Sequence, residues 1–219
     1  MILTHDQIIE AQKAGDIVIE PFDEKQIQAA SYDLRIGPQG VTTTTKKIVD
    51  LQKDGYVALE PGDFGIVTCF ESIKLGPQYV GRFGLRSRYA REGLIATTGT
   101  QIDPGFYGRL IVGLTNLTPR AVSLPYKDDF LTVEFHRLEQ ATTHPYKGPY
   151  QGRMELGADE IKFVTETEGM ALSEMLTTLQ SVASNVGALT SQVKLLLWSV
   201  PVIVAFGIAV IGIIVGLKH

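Results

Sequence analysis

Only one cysteine, Cys69, occurs in the 219 residues, and the four histidines, His5, His136, His144 and His219, share no ligand spacing. A single thiol excludes an intrachain disulfide and suits a reducing compartment. Within its apolar strand pattern it reads as a small buried residue. Scattered histidines leave no set of protein ligands for a metal. No apolar block precedes Ile9, where His5 and Asp6 stand instead, so no secretory leader is expected and the bulk of the chain is expected to stay where it is made. Basic blocks are missing as well. The formal charge is −4, and residues 170–219 hold only Glu174, Lys194 and Lys218, a net of +1, so the residues before them carry −5. Duplex nucleic acid, whose binding rests on many phosphate contacts, is therefore an unsuitable partner. A free nucleotide needs only a local positive pocket and stays open.

One long hydrophobic run is present. From Leu195 to Leu217, 23 positions, there is no charged residue, with Lys194 and Trp198 at one end and Lys218 and His219 at the other. About 20 apolar residues cross a bilayer as a helix, and basic and aromatic residues favour its interfaces. Residues 194–219 are thus expected to form a C-terminal transmembrane helix in contact with membrane lipid, with the preceding domain cytoplasmic. Before it, Leu172, Met175, Leu179, Val182, Val186, Leu189 and Val193 follow a 3, 4, 3, 4, 3, 4 spacing, which predicts a coiled-coil helix over 170–193. An amphipathic helix on the membrane surface is the competing reading, but that class carries Lys and Arg on its polar face, and here only Lys194 is basic. Residues 154–169, with Glu155, Asp159, Glu160, Glu166 and Glu168, have the composition of an acidic linker, within which Ile161 to Val164 could add a strand.

The first 153 residues read differently. Leu3 to Ala14 predicts a short helix with Thr4 as N-cap and Gly15 as its end, followed by a strand at Ile17 to Ile19. From Ser31 to Leu138 the runs YDLRI, GYVALE, FGIVTCF, RLIVGLTN and FLTVEF are broken by Gly, Pro and Asp clusters. Such spacing predicts a mainly β domain, a barrel or jelly roll. The polar run Thr42 to Thr45 suggests an exposed hairpin.

Within that domain, Arg86, Ser87 and Arg91 stand shortly before an Ile-Asp-Pro-Gly-Phe turn at Ile102 to Phe106. Guanidinium forks bind phosphate oxygens two at a time, and a hydroxyl adds a donor. Asp103 in the turn could orient a sugar hydroxyl or a water. The letters fit a phosphate-ester site on a β scaffold, and they fit equally a strand end with solvated arginines.

Four blocks, in order, resemble the dCTP deaminase and trimeric dUTPase family. They are QIQAASYDLRIG (26–37), LEPGDFGIVTCFESIKLG (59–76), LRSRYAREGLIATTGTQIDPGFYGRLIVGLTN (85–116) and HPYKGPYQGR (144–153), the last similar to the deaminases' C-terminal flap. The resemblance implies a dUTPase-like distorted β-barrel over 1–153, a homotrimer with sites between subunits, and a pyrimidine deoxynucleotide as substrate. It implies that Arg86, Ser87 and Arg91 hold the triphosphate and, in deaminases, help position the attacking water, with Ser87 and Asp103 as the catalytic residues; Asp103 bonds the 3′-hydroxyl or, in the dUTPase version, activates water. Phe106 would stack on the sugar, with Ile102, Thr132, Tyr146, Gln151 and Arg153 as further substrate contacts. Magnesium is implied as a passenger on the nucleotide phosphates.

The departures are chemical. The family's deaminases carry a catalytic glutamate ten residues after the aspartate, where this chain has Gly113. Losing a positioned acid or base costs about 10²–10⁴-fold in rate. Glu92 and Glu134 stand elsewhere in the pattern and are unconvincing substitutes. Thr132 replaces the dUTPase glutamine, Arg88 the second serine of the arginine-serine motif, Pro149 a lysine and Arg153 a glutamine. The dUTPase Gly-rich tail is absent. Three expectations follow: a diphosphate-releasing hydrolase, with dCTP deamination disfavoured; a non-catalytic nucleotide sensor; and a structural membrane scaffold on the same fold.

Overall fold

The computed structural model describes residues 1–166 and 172–216, and within the last helix it describes side chains only for 178–201 and 207. Two compact units result, Met1–Ser173 and Glu174–His219.

The first unit opens with α1 (His5–Ala14), where Gln7 Oε1 accepts from the Thr4 backbone N–H at 3.0 Å and Gly15 ends the helix. Next come β1 (Ile17–Glu20), a 3-10 turn at Glu24–Gln26, β2 (Tyr32–Thr42), β3 (Val49–Asp50), the single turn α2 (Leu51–Asp54), β4 (Tyr56–Leu59) and β5 (Phe64–Leu75). The chain continues through β6 (Tyr79–Leu85), α3 (Ser87–Arg91), β7 (Leu94–Ala96), β8 (Gln101–Ile102), β9 (Tyr107–Asn116), β10 (Val122–Pro125) and β11 (Asp129–Arg137). Nine strands form one curled sheet in the order β7-β9-β5-β2-β11-β6-β8, with β1 on β5 and β3 on β2, while β10 pairs with β4. The domain is mainly β, as the strand spacing predicts.

Curling explains why the two longest strands do not alternate. β2 and β5 are buried along most of their length on both faces, whereas β6, nearer an edge, keeps inward and outward positions. One core holds Tyr32, Leu34, Ile36, Cys69, Phe130, Val133 and Phe135 among others. Burial pushes the Cys69 thiol well above its ordinary range, so it stays protonated and inert. Two buried carboxylates are paired, as burial requires. Glu71 bonds the Arg35 Nε at 2.6 Å and its backbone N–H at 2.9 Å, and Asp63 takes the Thr43 and Thr44 hydroxyls at 2.7 and 2.8 Å. The threonine run is thus the partner of a buried carboxylate, beyond being a hairpin tip.

The acidic stretch after residue 153 needs correction. Ala158–Glu166 forms a helix, α4, and Ile161 to Val164 add no strand. Glu160 and Val164, one turn apart, are both buried, and Val164 joins Leu156, Val41 and Ile66 in a second small core. Spaced four apart, they lie one above the other on the helix face turned to the domain.

In the second unit, α5 (Leu172–Gly216) is continuous. The heptad residues Leu179, Val182, Val186, Leu189 and Val193 are all exposed in the single chain. Among the described residues no helix is long and apolar enough to cross a membrane. The transmembrane helix expected over 194–219 falls mostly on side chains outside that description.

Candidate functional site

β6 delivers its last residue, Leu85, into the turn where Arg86 precedes α3, and the Arg86 backbone N–H donates to Phe130 O at 2.8 Å. Arg86, Ser87, Arg88, Arg91, Thr132 and Asp33 line a cavity of about 600 Å³. Asp33, only 1% exposed, organises it. Its carboxylate accepts from Arg86 Nη1, from Thr132 Oγ1 at 2.5 Å and from Gln28 Nε2 at 2.9 Å. Asp129 adds a longer contact to Arg86 Nη1 at 3.3 Å. A buried carboxylate with three donors is a rigid anchor, so Arg86 is oriented before any ligand arrives. Arg88 instead pairs with Asp128 at 3.0 Å and Glu92 at 3.5 Å, and the Tyr89 hydroxyl donates to the same Asp128 at 2.6 Å. Burial, then the Asp128 carboxylate, push the Tyr89 phenol far above its ordinary range. The arginine in place of the second serine therefore ties α3 to the turn before β11.

A second cavity, about 640 Å³, is lined by Ile102, Asp103, Phe106, Arg109, Gly113 and Tyr146, with Phe64, Thr97 and Phe163 also on its wall. Asp103 sits in the turn between β8 and β9, where the Phe106 N–H donates to its carbonyl at 3.1 Å and Gln101 Nε2 to its carboxylate at 2.7 Å. Phe106 is buried and meets Tyr146 edge-on, ring centroids 5.7 Å apart. Asp159 and Glu160 line the cavity too, and this mixture of three carboxylates, one guanidinium and apolar walls can hold a flat, partly polar molecule.

Gly113 is closely surrounded. It lies opposite Ile66 across the β5–β9 ladder, its N–H donates to Thr98 Oγ1 at 2.7 Å, and its carbonyl accepts from Thr97 N–H at 2.9 Å. A Cβ there would stand 2.6 Å from Thr97 Oγ1 and 3.1 Å from the Phe64 ring. A side chain at this position would have to displace the Thr97 hydroxyl and the Phe64 ring.

The flap lies along the start of β9. Gln151 Nε2 donates to Gly105 O at 2.9 Å and its Oε1 accepts from Tyr107 N–H at 3.2 Å. The Gly152 N–H donates to Tyr107 O at 2.7 Å, and Arg109 N–H to Arg153 O at 2.8 Å. The Arg153 guanidinium bonds Glu160 of α4 at 2.6 Å and lies 5.1 Å from the Tyr150 ring centroid.

The predicted residues thus fall in three places. Arg86, Ser87, Arg91 and Thr132 share one cavity; Ile102, Asp103, Phe106 and Tyr146 share the other; Phe83 lines both. Gln151 and Arg153 line neither and hold the flap and α4 instead. Reasoning from sequence missed Asp33, although it lies inside the first motif block, because nothing local says which arginine a carboxylate will meet 53 positions later. It also missed α4. Among the described residues no group of three or more His, Cys, Asp or Glu could hold a metal ion.

Residues 2–138 match the protein family described as dCTP deaminase-like. The dCTP deaminase of Thermococcus kodakarensis is 40% identical over 147 residues, covering 67% of this chain and 93% of that protein. The dUMP-forming dCTP deaminase of Aquifex aeolicus is 28% identical over 163 residues, covering 70% of this chain and 91% of that one. Among solved structures, the 2′-deoxycytidine 5′-triphosphate deaminase from Agrobacterium tumefaciens is similar with a TM-score of 0.52 at 21% identity, over 63% of this chain and 49% of that chain, a likeness of fold.

Proposed function

The chain belongs to the dCTP deaminase-like family, and from that premise we propose that it binds a pyrimidine deoxynucleoside triphosphate in a site completed between subunits of a homotrimer. The observation that carries this reading is the division of the site residues between two cavities of one chain. The arginine cavity suits the triphosphate, and the Asp103–Phe106 cavity suits the sugar and base. A ligand needing both halves takes one from each of two copies. Arg86, Ser87 and Arg91 bind the phosphate oxygens, with Arg86 aimed by Asp33. Magnesium would enter on those phosphates, since neutralising them needs no cage of protein ligands.

Hydrolysis to the monophosphate and diphosphate, with Asp103 activating the attacking water, is the chemistry these residues support. Deamination of dCTP is not supported, because Gly113 offers no proton carrier and its surroundings are filled. The non-catalytic sensor is the second reading, favoured by the same filled position. The uncharged stretch 195–217 is long enough for a membrane anchor, and we place the β domain on its cytoplasmic side.

Subunit mixing tests the composite site. Arg86→Ala and Asp103→Ala chains should each bind dCTP, dUTP and dTTP poorly. Denatured and refolded together, they should regain part of the wild-type binding, because some interfaces then pair two intact halves. Mixtures no better than either parent would place the whole site in one chain. Product analysis of the wild type then separates hydrolase from sensor.

A further inference from the structure

The Asp103 carboxylate is steered by one side chain. Gln101 Nε2 donates to its Oδ1 at 2.7 Å, and among the described residues no other side chain bonds that carboxylate. Arg109, the guanidinium on the same cavity wall, donates through Nη1 to Met154 O at 3.3 Å instead. The backbone around the pair is pinned from both sides. Alternation along β8 buries Ile102 and leaves Gln101 at the surface. Ile102 packs on Gly81 of β6, where a Cβ would lie 2.9 Å from the Ile102 Cδ1. The Phe83 N–H donates to Thr100 O at 2.9 Å just before the pair, and the Phe106 N–H to Asp103 O at 3.1 Å just after it. With the chain so fixed, the bond from Gln101 decides only where the carboxylate points. Both Gln101 and Asp103 line the cavity.

We infer that Gln101 is a positioning residue: by holding Oδ1 of Asp103 it leaves Oδ2 as the oxygen that accepts an O–H in the occupied site, from the ligand's sugar or from the attacking water. A carboxylate without a fixed partner rotates and presents either oxygen, so its hydrogen bond to a ligand carries the cost of ordering it. One held oxygen removes that cost in advance. The amide suits this task because it donates without adding a positive charge, so Asp103 keeps its full strength as an acceptor. The inference rests on the nucleotide reading above and deepens it. A deoxynucleoside 5′-triphosphate has one free sugar hydroxyl, which gives the arrangement a direct readout.

Calorimetric titration of the full chain tests it, using wild type, Gln101→Met and Gln101→Lys with dCTP, dUTP and dTTP and with their 2′,3′-dideoxy counterparts. The wild type is expected to prefer the deoxy form by about 10-fold or more, the worth of a hydrogen bond to a charged group. Gln101→Met keeps the length and loses the donor, and should cut that preference by about 5-fold or more while dideoxy affinity stays unchanged. Gln101→Lys keeps an N–H donor and should retain the preference, since its added charge acts on both ligands alike. Diphosphate release is followed in parallel. A preference left intact in Gln101→Met, with kcat lowered and KM unchanged, assigns Oδ2 to the attacking water. Preference and kcat both unchanged overturn the inference. So does an equal loss of affinity for deoxy and dideoxy forms, which locates the effect in the fold. A wild type that binds none of the nucleotides refutes the nucleotide reading itself, a separate and recognisable outcome.

Discussion

Asp33 and Gly113 show how a single position can decide a site from below. Asp33 never faces a ligand alone, since its carboxylate is occupied by Arg86, Thr132 and Gln28. Two effects compete there: it partly neutralises Arg86, and it fixes the guanidinium. Fixing wins in a buried setting, where an unanchored arginine would lose its aim. Asp33→Asn should therefore weaken triphosphate binding by roughly 10–100-fold, the worth of a hydrogen bond to a charged group. Calorimetry reads it directly, and tighter binding by the variant would show that Asp33 acts as a competitor for the guanidinium. Gly113→Glu looks, from the sequence, like a repair. The structure argues otherwise, because Thr97 Oγ1 and the Phe64 ring already hold the space. The variant is expected to lose about 1–3 kcal/mol of stability by overpacking and to release no ammonia from dCTP. Denaturant unfolding and an ammonia assay check the two halves, and recovered turnover without loss of stability would refute the account. Arg86, Arg91 and Asp103 were legible as types and order in the sequence. Their partners were not, since partners come from chain reversals that no local pattern encodes.

At the scale of elements, the strands were legible and the short connections were not. YDLRI, GYVALE, FGIVTCF, RLIVGLTN and FLTVEF fall on β2, β4, β5, β9 and β11, because apolar residues and turn formers mark them. The small helix α3 and the edge strands β7 and β8 carry too few residues for a period to show. α4 was hidden for another reason: its acidic composition resembles a linker, and only two buried residues dock it. The flap, by contrast, was legible in spelling but not in attachment. Gly108 is the key to that attachment. Its φ of 144 is one that L side chains rarely adopt, and a Cβ there would lie 2.7 Å from Arg153 O. Gly108→Ala should therefore lift residues 150–153 off β9 at a cost of about 1–3 kcal/mol. Hydrogen exchange at the Gly152 and Arg109 amides should rise selectively, while the β2 and β5 amides stay protected. Unchanged exchange at both amides would show that the flap tolerates the side chain.

For the molecule as a whole, the two units carry different kinds of information. Met1–Ser173 has its own cores and both described cavities. The second unit has an apolar heptad stripe that a single chain leaves exposed, with Leu179, Val186 and Leu189 more than half accessible. Such a stripe is stabilised by burial against copies of itself, at about 25 cal/mol per Å² of apolar surface removed from water. The uncharged stretch beyond it is the proposed membrane anchor. A chain cut after Gly169 loses both and keeps α4, with its Arg153–Glu160 tether. It is expected to leave the membrane fraction and to bind deoxynucleotide triphosphate with affinity within a few-fold of the full chain, provided the β domains still meet at high concentration. On dilution its nucleotide affinity should fall together with its mass, because the composite site then comes apart, whereas the detergent-solubilised full chain should keep both. Membrane fractionation, light scattering and calorimetry across a dilution series measure the three quantities. A truncated chain that still pellets with membranes removes the anchor. One that binds nucleotide undiminished as a monomer removes the composite site, whatever its family.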